Sequence, residues 1–258
     1  MASHEEVLAR LVERYDWPKA VAVTGALGSG KTEWVLNLAV GLQAAGDKVT
    51  IADIDIINPY FCIRQVSETL ESKGLSVITI PDQGKWLDMS LVTPKVDWAL
   101  HDETSRLLMD IGGDAEGALA LKQFEPIIKK VGYRLILVVN SFRPQTSTIF
   151  RIKKMMEKME NICGLEVNAL ICNSHLMKET TVADAVEGIQ TVIEAGQALE
   201  LPVLYAGVDS TLASAVEKKL DDLSISVPIW PLSRYMLLPW EDGYMWSSRK
   251  LNEDKSHS

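Results

Sequence analysis

The sequence predicts a three-layer α/β/α fold around a mostly parallel, twisted sheet of about seven or eight strands. Short runs rich in Val, Ile and Leu alternate with helical patterns along most of the chain, as a parallel sheet with crossover helices requires. The runs are compact and apolar, which suits strands buried on both faces. Several helical segments end at a glycine (Gly46, Gly74, Gly132 and Gly164), where a left-handed cap is expected.

Taken in order, residues 1–17 are expected to hold an N-terminal helix. The stretch HEEVLARLVERYDW carries acidic charges and has no apolar centre, which argues against a signal peptide. Strands are predicted at Ala20–Thr24, Lys48–Asp53, Leu75–Ile80, Arg106–Asp110, Arg134–Asn140, Val167–Asn173, Val203–Ala206 and Val227–Trp230. Helices are predicted at Lys31–Ala45, Cys62–Lys73, Ala115–Val131, Gln145–Ile162, Thr180–Leu199 and Thr211–Leu220. Pro81–His101 is the least regular stretch and reads as an insertion or lid, and the polar tail at 247–258 is expected to be disordered. There is no internal repeat, low-complexity tract or long linker, so residues 1–258 are expected to form a single domain.

Bulk composition narrows the function classes. At 47% hydrophobic and 24% charged, the chain of 258 residues resembles an ordinary globular protein. Its net charge of -9 argues against non-specific nucleic-acid binding, which relies on Lys and Arg neutralising phosphates. No run reaches the roughly 18 apolar residues needed to span a bilayer, so a soluble, cytoplasmic protein without stable membrane insertion is expected. Cys62, Cys163 and Cys172 are far apart and form no CxxC pair, so they read as reduced thiols in or near the core. His4, His101, His175 and His257 are scattered and suggest no transition-metal site.

The strongest chemical signal follows the first strand. Gly25-Ala26-Leu27-Gly28-Ser29-Gly30-Lys31-Thr32 has the form GxxxxGK[ST] between a strand and a helix, the context that a phosphate-binding loop (P-loop) requires. Gly25, Gly28 and Gly30 let the backbone wrap phosphate oxygens without Cβ clashes. Backbone N–H groups and the helix N-terminus then supply donors and a positive dipole end. Lys31 is expected to reach the β- and γ-phosphates, and the Thr32 hydroxyl to ligate Mg2+.

Two further strand ends offer carboxylates. One reads Ala52-Asp53-Ile54-Asp55-Ile56-Ile57-Asn58-Pro59-Tyr60-Phe61, the other Asp110-Ile111-Gly112-Gly113-Asp114. In an open α/β sheet, ligands bind beyond the carboxyl ends of the strands, where these acids project. Asp110 reads as a carboxylate that holds Mg2+ through water. Gly112 and Gly113 are placed to bring a backbone N–H to the γ-phosphate and so sense hydrolysis. Asp114 reads equally well as a helix N-cap. Asp53 and Asp55 lie two apart, so in an extended chain they face the same side.

Together these segments resemble the MinD/ParA-like group of SIMIBI-class P-loop ATPases, over roughly residues 20–175. The likeness lies in the order of a P-loop, a DxDxxNPYF-like first switch at Asp53–Phe61 and a DxGG second switch at Asp110–Gly113. It implies Mg-ATP binding, a protein partner and a nucleotide-dependent homodimer. By the same likeness, Asp55 polarises the attacking water while Asp53 and Asp110 hold the magnesium shell, although Asp53 and Asp55 are interchangeable at this point. An Asn that reads adenine maps to Asn173, or less well to Asn140. Neither begins an NKxD sequence, and lacking that Asp favours ATP over GTP. The residues expected to contact nucleotide are therefore Gly25, Gly28, Ser29, Gly30, Lys31, Thr32, Glu33, Gly113 and Asn173. Thr32, Asp53 and Asp110 are expected around the metal, and Lys31 and Asp55 in catalysis.

The chain departs from the group at one position. Many members carry a second lysine directly after the first glycine, where Ala26 stands here, and Lys85, Lys95 and Arg64 are the replacements considered. No cluster-ligating cysteines are present, so electron transfer of the nitrogenase iron-protein kind is not expected. The aromatic, Met-rich segment Tyr235–Trp246 contains Pro239, Glu241, Asp242 and Gly243 and suits packing on the body or on a partner. The leading functional expectation is an ATP-hydrolysing switch that drives assembly, maturation or delivery for a partner protein. A small-molecule kinase or ATP-dependent ligase, for which Arg143 and Arg151 offer a thin phosphate-neutralising pair, is the first alternative. A binding module with negligible turnover is the second.

Overall fold

The computed structural model describes residues 3–54, 63–79 and 89–236. The strands are β1 (Ala20–Gly25), β2 (Val49–Asp53), β3 (Ser76–Ile78), β4 (Arg106–Asp110), β5 (Tyr133–Val139), β6 (Ala169–Cys172), β7 (Val203–Asp209) and β8 (Ile229–Leu232). They form one sheet in the order β3-β2-β4-β1-β5-β6-β7-β8. Every neighbouring pair is parallel. Each expected strand is present, with ends shifted by a few residues. β1, β2 and β6 are buried at every position, which is why they read as largely apolar runs.

The helices are α1 (His4–Val12), α2 (Lys31–Ala44), α3 (Ser67–Ser72), α4 (Met89–His101), α5 (Ala115–Lys122), α6 (Glu125–Val131), α7 (Ile149–Cys163), α8 (Val182–Ala198) and α9 (Ala213–Asp222). One core cluster takes its helical residues from α1 to α3, and the other takes them from α4 to α9. These are the two outer layers of the α/β/α sandwich. The first layer is unusually aromatic behind α2. Trp34 lies 6.0 Å from Tyr205 and 5.4 Å from Trp230 between ring centroids, fixing the start of α2 against β7 and β8.

Four helical segments differ from the sequence expectation. In the one expected over Cys62–Lys73, Ile63–Val66 form a 3-10 turn before α3. The single helix expected over Ala115–Val131 is two helices, because Pro126 can enter only the first turn of a helix, and it opens α6 there. The helix expected from Gln145 begins at Ile149, where the Thr148 side chain accepts the Arg151 N–H as an N-cap. Within the stretch read as least regular, residues 89–101 are helical, and Val96, Ala99 and Leu100 are buried. Their i, i+3, i+4 spacing is a helical face that Pro94 interrupts in the sequence. The other end of α7 follows expectation, with Gly164 in the left-handed conformation and its N–H donating to the Glu160 carbonyl at 2.8 Å.

Cys163 and Cys172 are buried thiols, and burial pushes Cys172 up to about 11. No helix among the described residues is long and apolar enough to cross a membrane. Asp55, Cys62, Lys85 and the segments 81–88 and 237–258 lie outside the described residues, as does the Arg64 side chain.

Candidate functional site

β1 sits between β4 and β5, and the chain winds away from it in both directions across the sheet. That reversal opens a crevice beyond the carboxyl end of β1. Residues 26–30 occupy it as a loop leading into α2. Gly28 and Gly30 hold φ of 74° and 82°, a region that L side chains rarely adopt. Gly30 caps α2 without a side-chain bond, so the first amides of the helix are presented to the crevice. Lys31, the first residue of α2, is 6% exposed.

On the β4/β2 flank, Asp53 and Asp110 are register partners and are both buried. Thr32 Oγ1 donates to Asp110 Oδ2 at 2.6 Å, and the Ile63 N–H donates to Asp53 Oδ2 at 3.0 Å. A hydroxyl beside two buried carboxylates is an all-oxygen donor set suited to a hard divalent cation. The residues present therefore fit Mg2+. Gly113 lies hard against the start of the loop: a Cβ there would collide with the Gly25 carbonyl oxygen and stand 2.8 Å from its carbon. Thr24 Oγ1 donates to the Gly112 carbonyl at 3.4 Å, fastening the same two segments. Asp114 is the N-cap of α5 and accepts the Gly117 N–H at 2.8 Å, so it takes the capping role.

The β5/β6 flank is held by hydrogen bonds between side chains and loops. Asn173 Nδ2 donates to the Ser29 carbonyl at 2.7 Å. Arg143 Nε donates to the Gly28 carbonyl at 3.0 Å. Asn140 is fully buried and spans both loops. Its Nδ2 donates to the His175 carbonyl at 3.1 Å, while its Oδ1 accepts the N–H of Phe142 at 3.0 Å and of His175 at 3.4 Å. Ser141 Oγ donates to Ser174 Oγ at 2.9 Å. Burial, followed by the positive charges of Arg143 and Arg234, holds His175 down at about 4, so its ring is neutral at pH 7.

Glu33 faces away from the loop. Its carboxylate accepts the N–H groups of Tyr235 and Met236, and burial pushes it up to about 7 despite those bonds. Asn37, one turn on, donates to the Ser233 carbonyl at 2.8 Å and accepts the Ser233 N–H at 3.0 Å. The start of the aromatic segment is thereby sewn to α2, with Met236 buried. Lys95 lines a cavity with Lys48, Ser76 and Ser105, at the amino ends of β2, β3 and β4 and so at the far end of the sheet from the loop.

No protein-family model matches the chain, and no curated protein matches it. Among solved structures it is similar to the signal recognition particle receptor FtsY from Elizabethkingia anophelis in complex with GDP. That likeness has a TM-score of 0.52 at 20% identity and covers 80% of this chain and 64% of that one. The fold is that of a P-loop NTPase. The cell division protein FtsY from Thermotoga maritima gives a TM-score of 0.55 at 18% identity, covering 79% of this chain and 68% of that one. FtsY from Mycoplasma mycoides gives 0.53 at 17%, covering 77% and 66%. The chain thus spans about two thirds of the length of these neighbours.

Within this P-loop NTPase fold, Gly25, Gly28, Ser29, Gly30, Lys31, Thr32, Gly113, Asp53, Asp110 and Asn173 all gather around one crevice. Glu33 is adjacent but turned to the C-terminal segment, and Asp55 lies outside the described residues. Sequence reasoning gave no site role to His175 and noticed Arg143 only as half of an arginine pair. The usable signal was position: each stands just beyond a strand that neighbours β1 or β5.

Proposed function

We propose that this chain is a Mg2+-dependent P-loop nucleotide triphosphatase that acts as a nucleotide-dependent switch, with ATP as its nucleotide. The observation that carries the reading is the 2.6 Å bond from Thr32 Oγ1 to Asp110 Oδ2. It joins the helix after the P-loop to the strand end whose carboxylate pairs in register with Asp53. Thr32, Asp53 and Asp110 would hold the metal. Bound there, Mg2+ supplies neutralisation of charge on the β- and γ-phosphate oxygens.

The amides of the loop and of the first turn of α2 receive phosphate oxygens, and Lys31 pairs with the β- and γ-phosphates. Asp55 polarises the attacking water. The contact between Gly113 and Gly25 supports the switch, because a γ-phosphate arriving at the loop meets the segment after β4 at its closest approach. Asn173 is tied to Ser29 through its amide nitrogen, which leaves its oxygen to accept from the exocyclic amine of adenine. A second reading, GTP as the nucleotide, is favoured by the likeness to FtsY in complex with GDP. Output passes to a protein partner in assembly, maturation or delivery, with a nucleotide-dependent homodimer as one form of that coupling.

The test is steady-state phosphate release by the purified chain with Mg2+ and no added metabolite. ATP should be hydrolysed, Lys31→Ala should abolish the activity, and Asp55→Asn should reduce it strongly. Tighter binding of GTP than of ATP would replace the nucleotide in this reading. Phosphate release that appears only with a pool of small metabolites would replace the switch with the kinase or ligase alternative. The arginine pair gives that alternative little support, since Arg151 Nη1 is engaged by the Pro144 carbonyl at 2.6 Å and Ser147 Oγ at 3.0 Å.

A further inference from the structure

The Asn140–Thr146 turn after β5 is over-determined for a surface loop. Besides the Asn140 side-chain bonds, the Asn140 carbonyl accepts the Arg143 N–H at 3.0 Å and Thr146 Oγ1 at 2.7 Å. The Arg143 carbonyl accepts the Thr146 N–H at 3.0 Å. Asn140 and Thr146 are both fully buried. Such a satisfied network fixes a backbone with little freedom, and the side chain it delivers to the P-loop is Arg143.

The guanidinium lies on the loop itself. A Cβ at Gly28 would stand 2.9 Å from Arg143 Cζ and 3.0 Å from Nε and Nη2, so the cation fills the space that a side chain at position 28 would need. Among the described residues, Nε alone is spent on the protein, in its bond to the Gly28 carbonyl. Among the described residues, the two terminal nitrogens make no hydrogen bond. The charge is felt nearby, since it helps hold down the proton affinity of His175. Ala26 offers no cation, and Lys95 lies at the far end of the sheet.

We infer that Arg143 is a catalytic cation of this site, contacting the phosphate chain of bound nucleoside triphosphate and stabilising the charge that develops as the γ-phosphoryl group passes to water. The inference rests on the hydrolase reading above. In the reaction, the water oxygen bonds to the γ-phosphorus as the bond from that phosphorus to its bridging oxygen breaks. The nucleoside diphosphate leaves with the electron pair, and the proton of water goes to the released phosphate or to solvent. Arg143 stays protonated throughout, so its contribution is electrostatic. Cations placed in this way contribute on the order of 10³–10⁵ in turnover in phosphoryl-transfer sites.

The experiment compares the wild type with Arg143→Ala, Arg143→Lys and Lys95→Ala, all first checked for an unchanged thermal transition. Single-turnover hydrolysis is measured together with affinity for Mg-diphosphate and for a non-hydrolysable Mg-triphosphate analogue. Arg143→Ala should slow turnover of bound nucleotide by about 100-fold or more and lose most of the preference for triphosphate over diphosphate. Arg143→Lys should recover part of the rate, free guanidinium should partly rescue the alanine variant, and Lys95→Ala should match the wild type. Equal weakening of both nucleotides with unchanged turnover would make Arg143 a brace of the loop and overturn the inference, as would no change at all. If the wild type binds nucleotide without hydrolysing it, the hydrolase reading fails by itself. The triphosphate preference then decides the contact: its loss in Arg143→Ala retains it, and its persistence ends it.

Discussion

On one flank of the P-loop, Asn140 alone makes three side-chain bonds that lock the loops after β5 and β6 together. On the other, Asp53 and Asp110 stand side by side in register, two buried carboxylates that accept from the Thr32 hydroxyl and the Ile63 amide. Polar groups of the first kind support the fold before any ligand arrives. Those of the second kind carry a cost that a cation and a phosphate chain would lift. The contrast fits a site that is rigid where a nucleotide is seated and responsive where its terminal phosphate is sensed. The two flanks should therefore fail differently when mutated.

The largest effect is expected from Asp110→Asn. Turnover should fall by about 100-fold or more with loss of its Mg2+ dependence, while the thermal midpoint should fall less than in Asn140→Ala, because an amide oxygen can still accept from Thr32 Oγ1. A fall in midpoint as large as that of Asn140→Ala would break the comparison, since it would make Asp110 a structural group. Asn140→Ala should do the reverse, costing about 3 kcal/mol in denaturant unfolding through buried groups left unpaired. Nucleotide affinity in Asn140→Ala should weaken mainly through the displaced loops. Gly113→Ala should lie between the two. Its Cβ would collide with the Gly25 carbonyl oxygen, so both stability and nucleotide binding should decline, by about 1–3 kcal/mol in stability.

The effect least visible at neutral pH is a pH dependence on the β5/β6 flank. His175 is held down from 6.5 to about 4 by burial and by the charges of Arg143 and Arg234. Between those values the unfolded chain binds more protons than the folded one, so stability rises with pH across the window and is lost as pH falls through it. The contribution is at most about 3 kcal/mol. Glu33, pushed up to about 7, works in the opposite direction, so its stabilisation is lost as pH rises toward 7. The His175 contribution is therefore the difference in slope between the wild type and His175→Gln. Equal slopes from pH 4 to 6.5 would remove it.

Most of the fold was legible because its signals are local. A parallel strand buried on both faces, as in β1, is apolar over most of its length, and a P-loop states its own chemistry in eight consecutive residues. What escaped depended on tertiary context. The break at Pro126 was passed over within a continuous helical pattern, and the helical face of Val96, Ala99 and Leu100 was hidden by Pro94 in a stretch that read as irregular. Glu33 stands next to Thr32, yet a segment some two hundred residues away claims its carboxylate. Arg143 and Gly28 are distant in sequence, and only the placement of β5 beside β1 brings them together. Asn173 was found from its strand end, but its bond to Ser29 was visible only in the folded chain.

Hydrogen exchange with Mg-diphosphate and with a non-hydrolysable Mg-triphosphate analogue tests the central claim most directly, using Lys31→Ala as the non-binding reference. The account predicts that both nucleotides protect residues 173–176 equally, while residues 110–114 and the end of β2 gain protection only with the triphosphate. Protection that is the same in both states on the β4/β2 flank, or a difference confined to the β5/β6 flank, would contradict it.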